Sequence, residues 1–396
     1  MRIKIIVSFV SVVLVAALAF GVFANGETTK TEIIPEGYID LEEYGGYAGD
    51  GKDDTQAFKD ALDTGRNIYL RKGQYDVCET IEIQNQNLIG CSSIQTMIVS
   101  TNKSAADPII RMGGLCRLEG LQLTYETSCI NKNEKQGERV GISLGCQTPV
   151  EPGSVIKEVG ISWVGTGIYS PNSENSGGNG LRIDTSTIGK YIYRGVDFQK
   201  VGQYGNLISN LYICNLHSEE IYADAAFAVE GEEYNLQADQ LNIEGMPVRH
   251  DLLLKNCRNA QFGSVHMEAV KFKEANAGLV KVDDSSVRID GLTAYYIHAN
   301  QPNCALIELG EAQNSESNGN YLRIGTLHFK GFGSEGAGFN SQNGKSFKIV
   351  KRTSGANGTY TFNLDKYVWY TWLGEASVYE SFPCDENGIT YLSKGN

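Results

Sequence analysis

The chain has 396 residues, is 10% aromatic and carries a net charge of −13 at pH 7. A negative balance of this size argues against a nucleic-acid-binding protein, because phosphate recognition requires a basic surface. Glycine is abundant at 45 residues and proline scarce at 8, while long helical periodicity is nearly absent, which excludes a helical bundle. The length suits one large solenoid or two ordinary domains.

The N-terminus has the pattern of an export signal. Arg2 and Lys4 precede an apolar run over residues 5–23, and Ala24 closes a stretch with small residues suitable for cleavage. An uncleaved membrane anchor of similar length is the alternative. We expect a signal peptide at 1–24, a polar leader at 25–35 and one domain at 36–396. The mature protein would be secreted, would carry a net charge of −15 once Arg2 and Lys4 are lost, and would not be stably inserted in a membrane.

Nine cysteines are spread along the chain without a Cys-x-x-Cys pair, which argues against zinc-ribbon and thioredoxin-like sites. Many of them lie within apolar strand-like runs, so buried free thiols are the simplest expectation. A disulfide between Cys78 and Cys91 is the alternative.

One helix is predicted near the N-terminus, and short strands follow it. Asp53, Asp54 and Thr55 provide N-cap residues for a helix that ends at Leu62. After Gly73 the chain consists of short alternating segments separated by turns.

A motif of apolar, polar and apolar residues recurs along these strands. It occurs at residues 121–123, 161–163, 196–198, 211–213, 241–243, 265–267, 292–294 and 327–329. The middle residues Asn242, His266, Thr293 and His328 are 24, 27 and 35 residues apart. Periods of this length are typical of stacked units, and three short strands per unit indicate a parallel β-helix. The alternation also predicts that Trp163 points inward.

The N-terminal block resembles the pectate-lyase-like β-helix superfamily, in the branch of rhamnogalacturonases and tailspike depolymerases. The resemblance depends on four segments: Tyr44-Gly45-Gly46, the string Gly-Asp-Gly-Lys-Asp-Asp-Thr-Gln-Ala-Phe at 49–58, Ile-Tyr-Leu-Arg-Lys-Gly-Gln-Tyr at 68–75, and Leu88-Ile89-Gly90. It implies an all-β fold, a single right-handed parallel β-helix with a short N-terminal capping helix, and a role with glycans. Lys72 stands where such proteins usually have proline, and the catalytic motifs of polygalacturonases lack a convincing counterpart here, so no catalytic residue is transferred.

Aligning the repeats places ionisable residues in two outward columns. Equivalent residues of successive coils lie about 4.8 Å apart in a parallel β-helix. The first column contains Asn242, His266, Thr293 and His328, and the second contains Glu244, Glu268, Tyr295 and Lys330. We take these eight residues as the candidate site, with Asn242 and Thr293 as substrate-binding residues. A ladder of solvated side chains without a function is the alternative.

Two reactions fit this set of residues. Carboxyl groups roughly 5 Å apart are the pair that retaining glycosidases use, so Glu244 and Glu268 would be nucleophile and acid, with no cofactor required. His266 would share the proton and Tyr295 would stack on a sugar ring.

A polysaccharide lyase would instead use Lys330, His328 or His266 as base and Tyr295 as acid. Because a uronate polymer is repelled by the negative charge, Ca²⁺ held by Asp283, Asp284 and the glutamate pair would be needed. A non-catalytic glycan-binding or structural β-helix is the third hypothesis, and a homotrimer is an open possibility for all three.

Overall fold

The computed structural model describes most of the chain after residue 32. The described residues are 33–200, 205–215, 223–231, 233–245, 248–268, 272, 274–297, 304–310, 320–331, 348–353, 360–370, 376–379 and 390–392. The chain divides into two units, Met1–Glu36 and Gly37–Asn396. The expected signal peptide and most of the leader lie outside the described residues. Among the described residues, no helix has the length and apolar character needed to cross a membrane.

Strands dominate the described residues, which contain one α-helix, α1 (Thr55–Asp63), and two short 3₁₀ segments, Leu41–Tyr44 and Thr127–Cys129. The first strands are β1 (Tyr38–Asp40), β2 (Asn67–Leu70), β3 (Gly73–Val77), β4 (Ile81–Gln84), β5 (Asn87–Gly90), β6 (Thr96–Ser100), β7 (Ile110–Gly113), β8 (Arg117–Tyr125) and β9 (Val140–Leu144). The middle strands are β10 (Val155–Ser170), β11 (Arg182–Phe198), β12 (Leu207–Asn215), β13 (Ala223–Val229), β14 (Glu233–Tyr234), β15 (Gln237–Gly245), β16 (Val248–Lys255), β17 (Cys257–Arg258) and β18 (Ala260–Glu268). The last strands are β19 (Gly278–Asp283), β20 (Ser286–Ile297), β21 (Ala305–Leu309), β22 (Asn320–Gly331), β23 (Lys348–Arg352), β24 (Tyr360–Tyr370), β25 (Ala376–Tyr379) and β26 (Thr390–Leu392).

Most strands stack in parallel on three faces, and many of them bend from one face to the next; β14 and β17 pair only with each other, and β25 runs antiparallel to β24. Face A contains β1, β2, β5, β26 and the first parts of β8, β10, β11, β12, β15, β18, β20, β22 and β24. Face B contains β3, β6 and the later parts of the same bent strands. Face C contains β4, β7, β9, the ends of β10 and β11, and then β13, β16, β19, β21 and β23. The all-β parallel β-helix predicted from the sequence is therefore confirmed.

Apolar residues fill the interior in columns that follow the strand register. On face B one column contains Ile98, Leu123, Ile161, Ile188, Ile213, Ile243, Met267, Ala294 and Phe329. Each of these residues is at most 2% exposed. Burying a large aliphatic side chain contributes about 1.5–3 kcal/mol, so the column holds neighbouring coils in register.

One predicted repeat lies on a different face. Val196 and Phe198 pair with Phe227 and Val229 on face C, whereas Ile188 is the face B residue of that coil. The prediction for residues 196–198 was wrong because β11 is 17 residues long and crosses all three faces.

The bends between faces use residues with left-handed backbone. Gly120, Glu158, Thr185 and Asn210 have φ between 47° and 66° in four successive coils where face A meets face B. Glycine adopts this conformation freely and asparagine tolerates it, whereas Glu158 and Thr185 adopt it at a cost in backbone strain. The parallel pairing of the flanking strands continues on both sides of the bend.

Helix α1 packs at the N-terminal end of the solenoid. Asp53 accepts hydrogen bonds from the backbone N–H and the hydroxyl of Thr55, at 3.0 and 2.5 Å. Asp54 accepts one from the backbone N–H of Asp76 in the first coil, at 3.0 Å. The buried ring of Phe58 lies edge-on to Tyr75 with ring centres 6.1 Å apart. The motif at 49–58 is therefore structural, as its resemblance implied.

The cysteines in the described residues form no disulfide with one another. Cys78 donates to the Asp53 carboxylate and Cys91 contacts the Tyr69 hydroxyl, so the alternative of a disulfide between them was wrong. Cys116, Cys257 and Cys304 belong to the buried core, in agreement with the expectation of small apolar core residues, while Cys214 is buried on the outer side of its strand.

One acidic side chain lies inside the solenoid. Asp251 of β16 is 0% exposed, and neither carboxyl oxygen has a hydrogen-bond partner among the described residues. Burial raises the pKa of this carboxyl well above its usual range.

We expect Asp251→Asn to remove a pH dependence of stability. The folded state binds a proton that the unfolded state, with a pKa of about 3.9, releases, so Asp251 destabilises the fold progressively as the pH rises above that value. The difference in the free energy of unfolding between Asp251→Asn and the parent should be near zero at pH 4. It should grow by about 1.4 kcal/mol per pH unit until the pH reaches the pKa of Asp251 in the folded state. Urea unfolding between pH 4 and pH 8 measures this difference. Asp63→Asn, at an exposed position, is the matched control, and parallel curves for parent and Asp251→Asn would contradict the prediction.

Candidate functional site

The strand register brings the predicted site residues together on the outer side of face B. Asn242, His266, Thr293 and His328 lie opposite one another on β15, β18, β20 and β22. Glu244, Glu268, Tyr295 and Lys330 form the second column on the same strands. The register extends the columns to Tyr212 and Cys214 of β12, which lie opposite Asn242 and Glu244.

Direct contacts link the centre of these columns. The Tyr212 hydroxyl donates to Glu244 Oε2 at 2.5 Å, and His266 Nε2 lies 3.1 Å from Glu268 Oε2. The His266 ring lies edge-on to Tyr295 at 5.8 Å between ring centres. The side chains of His266 and Glu268 are 25% and 35% exposed, so a ligand on face B can reach them.

Glu244, His266 and Glu268 lie close enough together to contact the same small ligand or reacting group. One ligating atom each from Glu244, His266 and Glu268 lie within 4.8 Å of one another. Carboxylate oxygens and an imidazole nitrogen can bind a divalent metal ion, and the same atoms can move protons in acid–base chemistry. The geometry is thus suited to either a bound cation or a pair of catalytic carboxyl groups.

The Tyr212 phenol is a permanent hydrogen-bond donor to this cluster. Burial, followed by the hydrogen bond to Glu244, raises the pKa of Tyr212 far above its usual value. Burial also raises the pKa of the neighbouring Cys214 thiol to about 11. Both groups therefore stay protonated at neutral pH, and the phenol donates its hydrogen bond to the Glu244 carboxylate there.

Four further residues complete the two columns on face B. Asn242, Thr293 and His328 are partly exposed on face B. Lys330 is opposite Tyr295 in the register, while its side chain lies outside the described residues.

Asp283 and Asp284 do not join the glutamate pair. Asp283 ends β19 on face C, opposite Lys255, and its carboxylate lies 3.6 Å from Lys281 Nζ. Asp284 is in the bend that leads to β20 on face A. The predicted Ca²⁺ site shared by these aspartates and the glutamates is therefore not assembled, because strand alternation cannot reveal which face a segment occupies.

Trp163 and Tyr212 also border this surface, although they were not among the predicted site residues. Trp163 is partly exposed at the end of face B with φ 51°, so the prediction that it points inward was wrong. Lys190 Nζ lies 4.5 Å from the centre of the Trp163 ring. The left-handed backbone at Trp163 breaks the alternation on which that prediction depended. Tyr212 was already within a recognised repeat, and aligning that repeat with the others would have placed it beside Glu244.

The contact between Tyr212 and Glu244 can be tested by a double-mutant cycle. Because the phenol donates to a carboxylate in a half-buried position, Tyr212→Phe should cost about 1–2 kcal/mol in the free energy of unfolding. In a Glu244→Ala background the same substitution should cost much less, which chemical denaturation of the four proteins measures. Equal costs in both backgrounds would show that the two side chains do not interact.

Comparison with solved structures supports the fold. The catalytic domain of Agl-KA matches with 15% identity and a TM-score of 0.55, over 92% of this chain and 69% of that one. The tailspike of an Acinetobacter phage matches with 10% identity and a TM-score of 0.51, over 92% and 68%. A GH87 α-1,3-glucanase catalytic domain in complex with nigerose matches with 12% identity and a TM-score of 0.50, over 87% and 66%.

The chain spans about two thirds of the length of these three structures. No protein-family model matches the chain, and no curated protein matches it. Identities this low establish the architecture and not the activity. The parallel β-helix fold that the resemblance to the pectate-lyase-like superfamily predicted is confirmed by these structures.

Proposed function

We propose that the protein is a secreted glycoside hydrolase that cleaves an extracellular polysaccharide on face B with retention of configuration. The observation that carries this proposal is the close approach of Glu244 and Glu268, whose ligating oxygens are within 4.8 Å. Retaining glycosidases hold their two carboxyl groups about 5–5.5 Å apart, whereas inverting enzymes leave roughly 6.5–9.5 Å for a water molecule.

The contacts of each carboxyl group suggest its role. Glu244 accepts a hydrogen bond from the Tyr212 hydroxyl, which orients this side chain for attack on the anomeric carbon as the nucleophile. Glu268 shares a hydrogen bond with His266, through which a proton can be held or exchanged. Glu268 would protonate the glycosidic oxygen as the bond breaks, and Glu244 would form the glycosyl–enzyme ester. Glu268 would then take a proton from the water that hydrolyses the ester.

The surface beside the pair suits a chain of sugars. Tyr295 borders Glu268 on one side, and Trp163 follows Ser162, which belongs to the same outward column. Ser162 is three coil spacings from Glu244 through Gly189 and Cys214, about 14 Å along the solenoid axis. Tyr295 lies two further spacings beyond Glu244, about 24 Å from Ser162, so its ring and that of Trp163 can stack on well-separated sugar rings of one polymer, and Asn242 offers a hydrogen bond between them.

The charge of the protein favours a neutral glycan. A polymer of uronic acids would be repelled by a chain with a net charge of −13, unless a cation bridged the two. The likeness in fold to an α-1,3-glucanase bound to nigerose makes α-linked glucans the first neutral substrates to test.

A cation-assisted lyase is the second candidate, favoured by the metal-binding geometry of Glu244, His266 and Glu268. The bound cation would neutralise a uronate carboxylate, His328 or Lys330 would remove the α proton, and Tyr295 would protonate the leaving oxygen. A homotrimer is likewise a proposal, and light scattering would report three times the chain mass of 43.3 kDa before any processing.

Substitution of the carboxyl groups tests the hydrolase. We expect Glu268→Gln to lower kcat by about 10²–10⁴-fold, because the leaving oxygen loses its acid. Glu43→Gln, at an exposed position far from face B in the sequence, is the matched control and should leave kcat unchanged. Binding of the polysaccharide should survive in Glu268→Gln. Full activity in that variant would exclude the proposed mechanism and favour the non-catalytic module.

The products separate the hydrolase from the lyase. Incubation with neutral and uronic-acid polysaccharides, with Ca²⁺ or with EDTA, should release reducing ends from a neutral glycan in both conditions. Ultraviolet absorbance of unsaturated sugars that appears only with Ca²⁺ would instead identify the lyase. Release of neither product from any polysaccharide of a broad panel would count against both enzymes.

A further inference from the structure

A concave surface lies on face C, at the N-terminal coils and away from the glutamate pair. Its floor contains Arg111, Ser143 and Tyr169, which lie opposite one another on β7, β9 and β10. The cleft has a volume of about 350 Å³ and extends over two coil spacings, ~10 Å along the axis. We name it the face C cleft. Its volume is within the range of small-ligand sites and its length suits a disaccharide.

The wall beside residues 171–176 is held in place. Ser176 Oγ donates within this loop, and Lys200 Nζ donates to the Ser173 carbonyl at 2.7 Å. Gly145 lies so close to the loop that a Cβ at this position would be 2.2 Å from the Asn175 carbonyl oxygen. The wall is therefore preformed, which lowers the entropic cost of binding.

On the opposite wall, Gly137 lies against the ring of Tyr169 in the floor. A Cβ at Gly137 would lie 3.2 Å from the Tyr169 ring, and its φ of 74° is one that glycine adopts easily. Tyr169 is partly exposed between these walls. An aromatic ring bordered by backbone groups is a typical surface for a sugar ring.

The chemistry of the cleft indicates a neutral ligand. The Arg111 guanidinium is paired with the Glu82 carboxylate, so the floor has no uncompensated positive charge for an anion. Ser143 is 8% exposed and lines the floor, where its hydroxyl can form a hydrogen bond with a ligand hydroxyl. Asn175 adds an exposed amide at the rim.

We propose that the face C cleft binds a short neutral segment of a polysaccharide and anchors the polymer to the protein. The cleft is on a different face from Glu244 and Glu268, and four coil spacings separate β9 from β15, about 19 Å along the axis. It goes beyond the proposed catalytic role and does not depend on it.

Cys146 provides a reporter of occupancy, because this thiol lines the cleft and is only partly buried. We would measure the rate of its alkylation by iodoacetamide, resolved by mass spectrometry, at increasing concentrations of nigerose, maltose or cellobiose. The exposed thiol of Cys78 is the internal reference. At least one of these disaccharides should slow the modification of Cys146 and leave that of Cys78 unchanged.

Tyr169→Ala should weaken this protection about tenfold, because an aromatic stacking surface is lost. Tyr47→Ala, which removes an exposed tyrosine elsewhere, is the matched control and should leave protection unchanged. A smaller fraction of the Tyr169→Ala protein than of the parent should also be retained on an insoluble glucan. Protection unaltered in Tyr169→Ala would overturn the assignment of the site. Absence of protection by all three sugars, or stronger protection by digalacturonate, would overturn the neutral-sugar proposal, whether or not the protein proves to be a hydrolase.

Discussion

Parallel stacking of coils in a fixed register is the constraint on which the rest of this structure depends. Each inward column, such as the one through Ile213, Ile243 and Met267, fixes the height of its coil relative to its neighbours. Because successive strand residues alternate between interior and exterior, the same register determines which polar residues meet outside. Glu244 and Glu268 are neighbours because the apolar residues that precede them pack in register.

The two outer surfaces differ in how far neighbouring side chains interact. On face B, Tyr212 contacts Glu244, and His266 contacts Glu268 and Tyr295, while these side chains stay partly exposed to solvent. On face C, Arg194 is almost fully buried and forms ion pairs with Asp197, Asp224 and Glu230. Removing one member of such a buried network leaves charges without compensation, so those residues are best understood as structural. The face C cleft begins where this network ends, since Tyr169 lies opposite Asp197.

Much of the architecture could be predicted from short local patterns. The helix at 55–63 followed from its N-cap residues, and the columns on face B followed from alternation in strands where it is uninterrupted. Trp163 could not be placed this way because its left-handed backbone interrupts the alternation. Asp283 was grouped wrongly because a strand sequence does not encode the face to which it belongs. The floor of the face C cleft escaped notice because Arg111, Ser143 and Tyr169 are dissimilar residues whose proximity arises only from the pairing of β7, β9 and β10.

The alternation of β18 has an evolutionary implication for the glutamate pair. An insertion of two residues before Val265 would keep every apolar side chain of the strand directed inward, because the period of a strand is two. The same insertion would move His266 to the level now held by Glu268 and would leave Glu244 without an acidic neighbour. Insertions and deletions by pairs of residues can therefore exchange the chemistry of one coil while its hydrophobic pattern stays intact, which gives a solenoid of this kind a route to new surface functions that single substitutions do not offer.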